Sequence, residues 1–211
     1  MQHISLSTIQ TWERFYRANF INCLTGFKPV SLIATTHQNG QPNLGVFSSI
    51  VHLGSDPALV GYINRPVAAA PHTLANIQAT GVYTVNHIHP GIAEQAHQCS
   101  AKYAADENEF TLTGLTPVFK QNIPAPFVAE SYIQYALKLV EVVPIQHNNT
   151  FLVIGAVTDV FIEPGILQED GFLALENKDT LASLGADGYY TVERFARFGY
   201  AKPGKPVEKI D

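Results

Sequence analysis

Cysteine is scarce in this chain, which has only Cys23 and Cys99 among its 211 residues. Two cysteines are too few for the disulfide framework on which small secreted domains depend. The first residues, MQHISLSTIQTWERFY, also lack the basic segment followed by an apolar stretch that marks a secretion signal. We therefore expect a reduced, cytoplasmic protein.

Long apolar segments and basic clusters are missing as well. The longest apolar runs, such as FLVIGAV, are far shorter than the roughly 20 residues of a membrane-spanning helix. The 13 Lys and Arg are outnumbered by 18 Asp and Glu, which gives a formal charge of -5 and a pI of about 5.9. Because no run of basic residues forms a patch, the sequence argues against nucleic-acid binding as well as against membrane insertion.

Three common catalytic and nucleotide-binding motifs are absent too. The chain has no glycine-rich dinucleotide fingerprint after a strand, no phosphate loop ending in Gly-Lys-Ser/Thr, and no Gly-x-Ser-x-Gly elbow. The usual nucleotide-binding and hydrolase hypotheses therefore have no motif to support them.

The residues that are present favour strands. A hydrophobic content of 46% over 211 residues is enough for one domain, 1–211, with its own core. Six segments are rich in the β-branched and aromatic residues typical of strands: VSLIATT, NLGVFSSIVHL, ALVGYIN, GVYTVNHI, SYIQYALKLVEVV and FLVIGAVTDVFI. Turn signals at 39–40, 55–57 and 146–150 separate several of them. Short turns between such strands predict a closed or nearly closed antiparallel barrel.

Three helices are predicted beside the strands. Apolar residues at helical spacing indicate an amphipathic helix at 9–18. The segments 71–80 and 90–104 each begin at or just after a proline, which suits the first turn of a helix.

A metal site is the first binding hypothesis to consider. His87, His89, His97 and Cys99 lie within thirteen residues and are zinc-ligand types. The spacing argues against a shared site, because His97 and Cys99 are two apart on a predicted helix and point in different directions. The alternative is that all four are ordinary, partly exposed polar positions, and we predict no metal.

The start of the 71–80 helix is a candidate anion site. Thr73 is placed as its N-cap, Asn76 follows on the same face, and His72 adds a possible charge. Free backbone N–H groups at a helix start favour anions such as phosphate. The alternative is that Thr73 only caps the helix and Asn76 faces water.

A polar cluster interrupts the 43–53 segment. If this segment is one strand, Asn43 and Ser49 face one side and Ser48 faces the other. A buried hydroxyl without a partner costs about 1–3 kcal/mol, so such residues need a reason. Either they bond to neighbouring carbonyls or they line a binding cleft.

Five blocks of the sequence occur in a telling order: FKPVSLIATTHQNGQPNLGVFSSIVHLGSDPALVGYINRP, HTLANIQATGVYTVNHI, CSAKYAADENEF, LVIGAVTDVFI and, more weakly, VERFARFGYAKP. In this order they resemble the flavin reductase-like proteins with an FMN-binding split barrel. The resemblance implies a mainly β, Greek-key split barrel with a few flanking helices. Its core would span about 27–163, with the N-terminal helix and the C-terminal extension packed around it. The resemblance also implies a homodimer with FMN held non-covalently near the subunit interface.

Ten residues match the flavin-contacting blocks of that family: Lys28, Thr35, Thr36, Asn43, Phe47, Ser48, Ser49, His72, Thr73 and Asn76. The resemblance places the two threonines 35 and 36 beside the ring edge and residues 43 and 47–49 around ring, ribityl chain and phosphate. It places residues 73 and 76 near the phosphate, with a positive charge from residue 28. The resemblance also places Tyr103 in a segment that crosses the cleft and makes the pair Tyr189 and Tyr190 part of a lid; the alternative is that these rings pack against the barrel.

The implied activity is NAD(P)H-dependent flavin reduction. The flavin itself stores the two electrons, so the protein supplies orientation and we predict no catalytic acid or base. The acceptor would be a partner oxygenase or a substrate at the same site. The alternatives are a flavin-binding electron-transfer or carrier module without nicotinamide turnover, and a cofactor-free interaction protein that keeps only the fold.

Overall fold

β-Strands dominate the computed structural model, which describes residues 1–104 and 106–210. The α-helices in these residues are α1 (Leu6–Thr11), α2 (Arg14–Leu24), α3 (Pro71–Thr80), α4 (Ala93–Gln98) and α5 (Glu109–Thr113). The strands are β1 (Lys28–Pro29), β2 (Ser31–Thr36), β3 (Pro42–Phe47), β4 (Ile50–Ser55), β5 (Ala58–Asn64), β6 (Val82–His87), β7 (Pro117–Val118), β8 (Phe127–Val128), β9 (Ile133–Ile145), β10 (Thr150–Ile162), β11 (Ala182–Leu184) and β12 (Gly188–Tyr190).

Seven strands form one antiparallel sheet in the order β3-β2-β6-β9-β10-β5-β4. Strands β3 and β4 are therefore its opposite edges, yet only Ser48 and Ser49 separate them along the chain. Because three peptide steps reach at most about 11 Å, the sheet must curl until its edges lie close together. Within the described residues β3 pairs with β2 and β4 with β5, without a ladder between the two edges. The prediction of a mainly β, Greek-key split barrel with flanking helices is confirmed.

The link between β3 and β4 corrects the prediction of one continuous strand over 43–53. The chain leaves β3 after Phe47 and enters β4 at Ile50. Ser48 and Ser49 therefore do not alternate across one strand but form the crossing from one sheet edge to the other. The predicted turn at Asn39 and Gly40 is present, with Gly40 at φ 87, a conformation that glycine adopts without steric cost.

The core lies on both faces of β2. Leu32 and Ala34 pack outward with residues of α4 and α5, whereas Ile33 points into the barrel beside Leu74 and Ile77 of α3. A strand covered on both faces has no solvent side, and all residues of β2 except Thr36 are buried. This packing fixes α3 across the end of the barrel, next to β3.

The predicted helix at 71–80 is confirmed, and the other two differ from the prediction. The helical region near the N-terminus is split between α1 and α2, because the Glu13 carboxylate accepts hydrogen bonds from the backbone N–H groups of Phe15 and Tyr16 and so begins a new helix. The helical region after Pro90 ends at Gln98 instead of continuing to residue 104. Residues 99–103 are thereby free to form a wall of the site described below.

The chain after β10 returns to the start of the barrel. β11 pairs with both β1 and β12, which gives a small sheet in the order β1-β11-β12. It places Ser183 beside Lys28, far apart in sequence. This small sheet lies beside the split in the barrel. Helices α1 and α2 pack more loosely, because none of their residues is buried.

Candidate ligand-binding cleft

A cleft of about 500 Å³ opens where the barrel is split. Four parts of the chain supply most of its lining: β3 from Asn43 onward with its two-serine link, residues of the 65–73 segment that leads into α3, residues 99–103, and the small sheet of β1, β11 and β12. Sites for small organic ligands occupy roughly 300–1,000 Å³, so the cleft has the size of a cofactor site.

Seven of the ten residues selected from the sequence line this cleft: Lys28, Asn43, Phe47, Ser48, Ser49, His72 and Thr73. Their contact with a flavin stays a prediction. The other three are not among the described residues that line it: Thr35, Thr36 and Asn76.

Hydrogen bonds inside the protein explain why those three residues lie away from the cleft. Thr36 Oγ1 donates to the backbone oxygen of Pro124 at 2.8 Å. Asn76 Nδ2 donates to Thr35 Oγ1 at 3.0 Å, and both residues are buried. The Asn76 side chain therefore points from α3 toward β2. The alternative that its spacing left open, an Asn76 that faces water, is wrong.

A buried hydrogen-bond network forms the floor of the cleft around Asn43. The Nδ2 of Asn43 donates to Oε1 of Glu109 at 2.7 Å. The Oδ1 of Asn43 accepts from Oγ1 of Thr35 at 3.1 Å and from Oγ1 of Thr73 at a longer 3.4 Å. The second carboxylate oxygen, Oε2 of Glu109, accepts from the backbone N–H of Leu44 at 3.1 Å. This network joins β2, β3, α3 and α5 directly beneath the cleft.

Glu109 is the functional candidate that sequence reasoning missed. It lines the cleft although only 5% of its surface is exposed. Burial raises the pKa of its carboxyl, and the hydrogen bonds that it accepts and the nearby His72 act in the opposite direction. In the sequence it stands in the polar stretch DENEF, where nothing distinguishes a buried glutamate from a solvated one.

The start of α3 borders the cleft without a side-chain cap. The N-cap residue is Ala70 and the first helical residue is Pro71. Thr73 therefore lies within the first turn and is not the N-cap that its spacing predicted, because Pro71 already satisfies the preference for proline at the first helical position. The uncapped first turn leaves backbone N–H groups available, and the helix dipole gives this end a partial positive charge.

Three cationic side chains of the described residues line the cleft, and two of them were not predicted. Lys28 Nζ donates to the backbone oxygens of Asn22 and Gly185, each at 3.4 Å. Within the described part of the chain, Arg65 and Lys102 line the cleft with no ion pair or side-chain hydrogen bond. The one signal for Arg65 was its position between a predicted strand and a predicted helix.

Two of the three tyrosines selected from the sequence lie at the cleft. Both Tyr103 and Tyr189 line it. Gln98 Nε2 donates to the Tyr103 hydroxyl at 3.0 Å, and the Tyr189 hydroxyl lies 3.1 Å from Nδ1 of His97. These hydrogen bonds fix both rings at the rim.

The zinc-ligand hypothesis has no supporting geometry in the described residues. Among them no three His, Cys, Asp or Glu side chains are grouped around a possible metal position. His89 instead stacks on Tyr132, with ring centroids 4.3 Å apart. Cys99 is buried, and burial raises the pKa of its thiol to about 12.

No helix in the described residues has the length and apolar character needed to span a bilayer.

Comparison with known proteins identifies the family. The profile of the flavin reductase-like domain matches residues 27–185, so the chain belongs to the flavin reductase-like family, and the resemblance seen in the sequence is confirmed. A solved structure of a candidate flavin reductase with a split barrel domain from Shewanella frigidimarina is 46% identical, with a TM-score of 0.93 over 95% of this chain and 100% of that chain.

Two more distant structures share the fold. Nitrilotriacetate monooxygenase component B from Bacillus cereus is 18% identical, with a TM-score of 0.81 over 92% of this chain and 96% of that chain. An FMN-binding protein from Thermus thermophilus is 19% identical, with a TM-score of 0.66 over 81% of this chain and 90% of that chain.

Proposed function

We propose that the cleft binds FMN non-covalently and that the protein is an NAD(P)H-dependent flavin reductase of the cytoplasm. One observation carries the proposal: in a chain of the flavin reductase-like family, a cofactor-sized cleft joins an uncapped helix start to Arg65, which has no side-chain partner among residues 1–104 and 106–210. An uncapped helix start and an arginine both favour a phosphate group.

The phosphate of FMN fits the end of the cleft near α3. Backbone N–H groups of His72 and Thr73 lie in the uncapped first turn. Arg65 lines the same cleft from the preceding loop, and its planar guanidinium suits a phosphate. Ser48 makes no side-chain hydrogen bond in the described part of the chain, so its hydroxyl is free for a ligand. We assign these four groups to the phosphate.

The isoalloxazine ring and ribityl chain would occupy the rest of the cleft. Phe47 lines it and is fixed by an edge contact with Tyr62, with ring centroids 5.0 Å apart. Tyr103 and Tyr189 supply further apolar surface at the rim. Asn43 forms the floor, and Lys28 lines the side that the small sheet completes. We retain these residues as flavin contacts and leave out residues 35, 36 and 76.

When bound, FMN would accept a hydride at N5 from a nicotinamide and pass its two electrons to an acceptor, which we propose to be a separate oxygenase. The name of the Bacillus cereus relative, a monooxygenase component, supports the oxygenase partner, and the name of the Thermus thermophilus relative supports FMN. The residues of this chain bind and orient the cofactor.

We also propose a homodimer. No residue of α1 or α2 is buried within one chain, although Phe15 and Leu24 are apolar and 73% and 62% exposed. Near the C-terminus, Phe195 is 94% and Tyr200 93% exposed. Apolar surface of this kind marks a protein interface, and a second copy of the chain would cover it. Light scattering after gel filtration tests this, and a monomer at micromolar concentration would contradict it.

An anaerobic titration tests the function. The purified protein, reconstituted with FMN and freed of excess, should show the visible flavin absorption band, and NADH or NADPH should bleach it. If neither NADH nor NADPH bleaches the band, the protein is an electron carrier and not a reductase. If the protein does not retain FMN, both the reductase and the electron-carrier functions are refuted.

Arg65 provides the sharpest test of the phosphate assignment. Arg65→Met should weaken FMN binding by about tenfold or more, because a charged hydrogen bond is lost, and should leave riboflavin binding nearly unchanged. Lys138→Met is the matched control, since Lys138 is an exposed cation of β9 that does not line the cleft. Fluorescence titration of both flavins against both variants measures the effect, and equal losses for FMN and riboflavin would remove Arg65 from the phosphate site.

A further inference from the structure

Two N–H donors meet the two oxygens of Glu109 and favour its ionised form, and with a carboxylate there the hydrogen-bond network under the cleft has one consistent arrangement of protons. A carboxylate can only accept, so the 2.7 Å contact with Glu109 requires the NH₂ group of Asn43 to point toward Glu109. The backbone N–H of Leu44 occupies the second carboxylate oxygen. Asn43 therefore cannot turn its amide round without leaving two acceptors face to face.

This orientation directs the carbonyl oxygen of Asn43 at two hydroxyl groups. Oδ1 lies 3.1 Å from Thr35 Oγ1 and 3.4 Å from Thr73 Oγ1. A carbonyl oxygen accepts only, so each hydroxyl that bonds to it must supply its proton. Thr35 has already accepted a hydrogen bond from Asn76 Nδ2 at 3.0 Å, which fits its role as donor to Asn43.

Thr73 differs from Thr35 in one respect that matters for a ligand. Thr73 lines the cleft, and the contact with Asn43 is the only side-chain hydrogen bond that it makes in the described residues. With its proton directed at Asn43, the Thr73 hydroxyl presents lone pairs to the cleft. It can accept a hydrogen bond from a ligand there, but it has no proton left for a phosphate oxygen.

From this arrangement we propose that the Thr73 hydroxyl recognises a hydrogen-bond donor of the flavin, a ring N–H or a ribityl hydroxyl, and that Glu109 is the positioning residue that sets this polarity through Asn43. The inference rests on the proposed flavin binding and deepens it. The Thr73 side chain then serves the part of the ligand that FMN and riboflavin share, while its backbone N–H remains available to the phosphate.

Two substitutions at one position separate the two roles of Thr73. Thr73→Val keeps the shape and removes the hydroxyl, and should weaken FMN and riboflavin binding by the same factor, about three- to tenfold for a neutral hydrogen bond. Thr73→Ser retains the hydroxyl and should restore most of the affinity. Lumiflavin, which has the ring without the ribityl chain, distinguishes the sources: a loss with lumiflavin identifies a ring N–H, and no loss identifies a ribityl hydroxyl.

Glu109→Gln tests the positioning role. Glutamine offers one acceptor oxygen and one NH₂ group, so the amide of Asn43 is released to turn its NH₂ toward Thr73. The affinity should fall by a similar factor for both flavins. Because both substitutions remove the same ligand contact, the double variant Glu109→Gln with Thr73→Val should lose no more than Thr73→Val alone. A role of Glu109 in general packing would give additive losses instead.

The outcomes separate this inference from the proposed function. A loss confined to FMN, no loss for either flavin, or additive losses in the double variant would each overturn the inference while flavin binding stands. Failure of the unsubstituted protein to bind either flavin would overturn both. If Thr73→Val does not fold, as judged by circular dichroism, Thr73→Ala replaces it with the same expectation of equal factors.

Discussion

The cleft floor and the barrel interior both bury polar side chains, but they satisfy them differently. In the floor, Asn43 and Glu109 have partners for all of their buried side-chain atoms. In the interior, the hydroxyls of Tyr62 and Tyr83 are buried without a partner among the described residues. An unpartnered hydroxyl costs about 1–3 kcal/mol, and burial of the large ring compensates for it. The contrast indicates that the floor is built for orientation and the interior for apolar packing.

The largest expected effect follows from removing the centre of the floor. Asn43→Leu keeps the volume but leaves the Glu109 carboxylate without one donor and two hydroxyls without an acceptor. We expect the free energy of unfolding to fall by about 3 kcal/mol, measured by urea denaturation. A loss below about 1 kcal/mol would show that the network contributes little, and the contrast between the two regions would fail.

A buried histidine gives the next effect, and it depends on pH. The Nδ1 atom of His87 is buried with no hydrogen-bond partner in the described part of the chain, and burial lowers the pKa of His87 from 6.5 to about 4. Between these values the unfolded chain binds a proton that the folded protein does not, so stability falls as the pH falls through this window. The expected loss by pH 4 is about 2–3 kcal/mol, with no contribution above pH 7.

His87→Phe is the control for this acid sensitivity. The raised pKa of Glu109 acts in the opposite direction, because a folded carboxyl that binds a proton more readily gains stability as the pH falls. Glu109 is present in both proteins, so the change with pH in the difference between their urea midpoints gives the contribution of His87 alone. Parallel stability curves from pH 7 to pH 4 would show that this ring does not titrate as its burial requires.

The smallest expected effect concerns the barrel interior. Tyr83→Phe removes a hydroxyl that has no partner among the residues that the structure describes, and it leaves the ring in place. The free energy of unfolding should rise by about 1 kcal/mol, the lower end of the cost of an unpartnered hydroxyl, measured in the same denaturation series. A loss of about 2 kcal/mol would reveal a partner for this hydroxyl and would make the interior resemble the floor.

Much of the fold could be predicted from sequence because its determinants are local. Alternating and continuous apolar runs marked the strands, Asn39 and Gly40 marked a hairpin, and Pro71 marked the start of α3. The helix boundaries were not predictable in the same way, because the Glu13 cap interrupts a continuous helical pattern. The hydrogen bonds of the Glu13 side chain cause the break between α1 and α2, and the spacing of apolar residues does not indicate it.

The candidate site was only partly predictable, for a physical reason. Strand residues selected on β3 line the cleft, but Asn76 and Thr35 are directed at each other, because α3 packs across β2. Glu109 has no sequence signal of its own, and Arg65 has only its position between a predicted strand and a predicted helix. Their importance arises from where a loop and a short helix lie against the barrel.

The sequence by itself determined the strands, the principal hairpins, the 71–80 helix and, by resemblance, the flavin reductase-like family. The tertiary structure decided that Ser48 and Ser49 join the two edges of one sheet, that the split there opens a cleft, and that Glu109 orients the amide of Asn43 beneath it. Local patterns record which residues are apolar and where the chain turns. Hydrogen-bond partners 65 residues or more apart are fixed only when the curled sheet and its helices pack together.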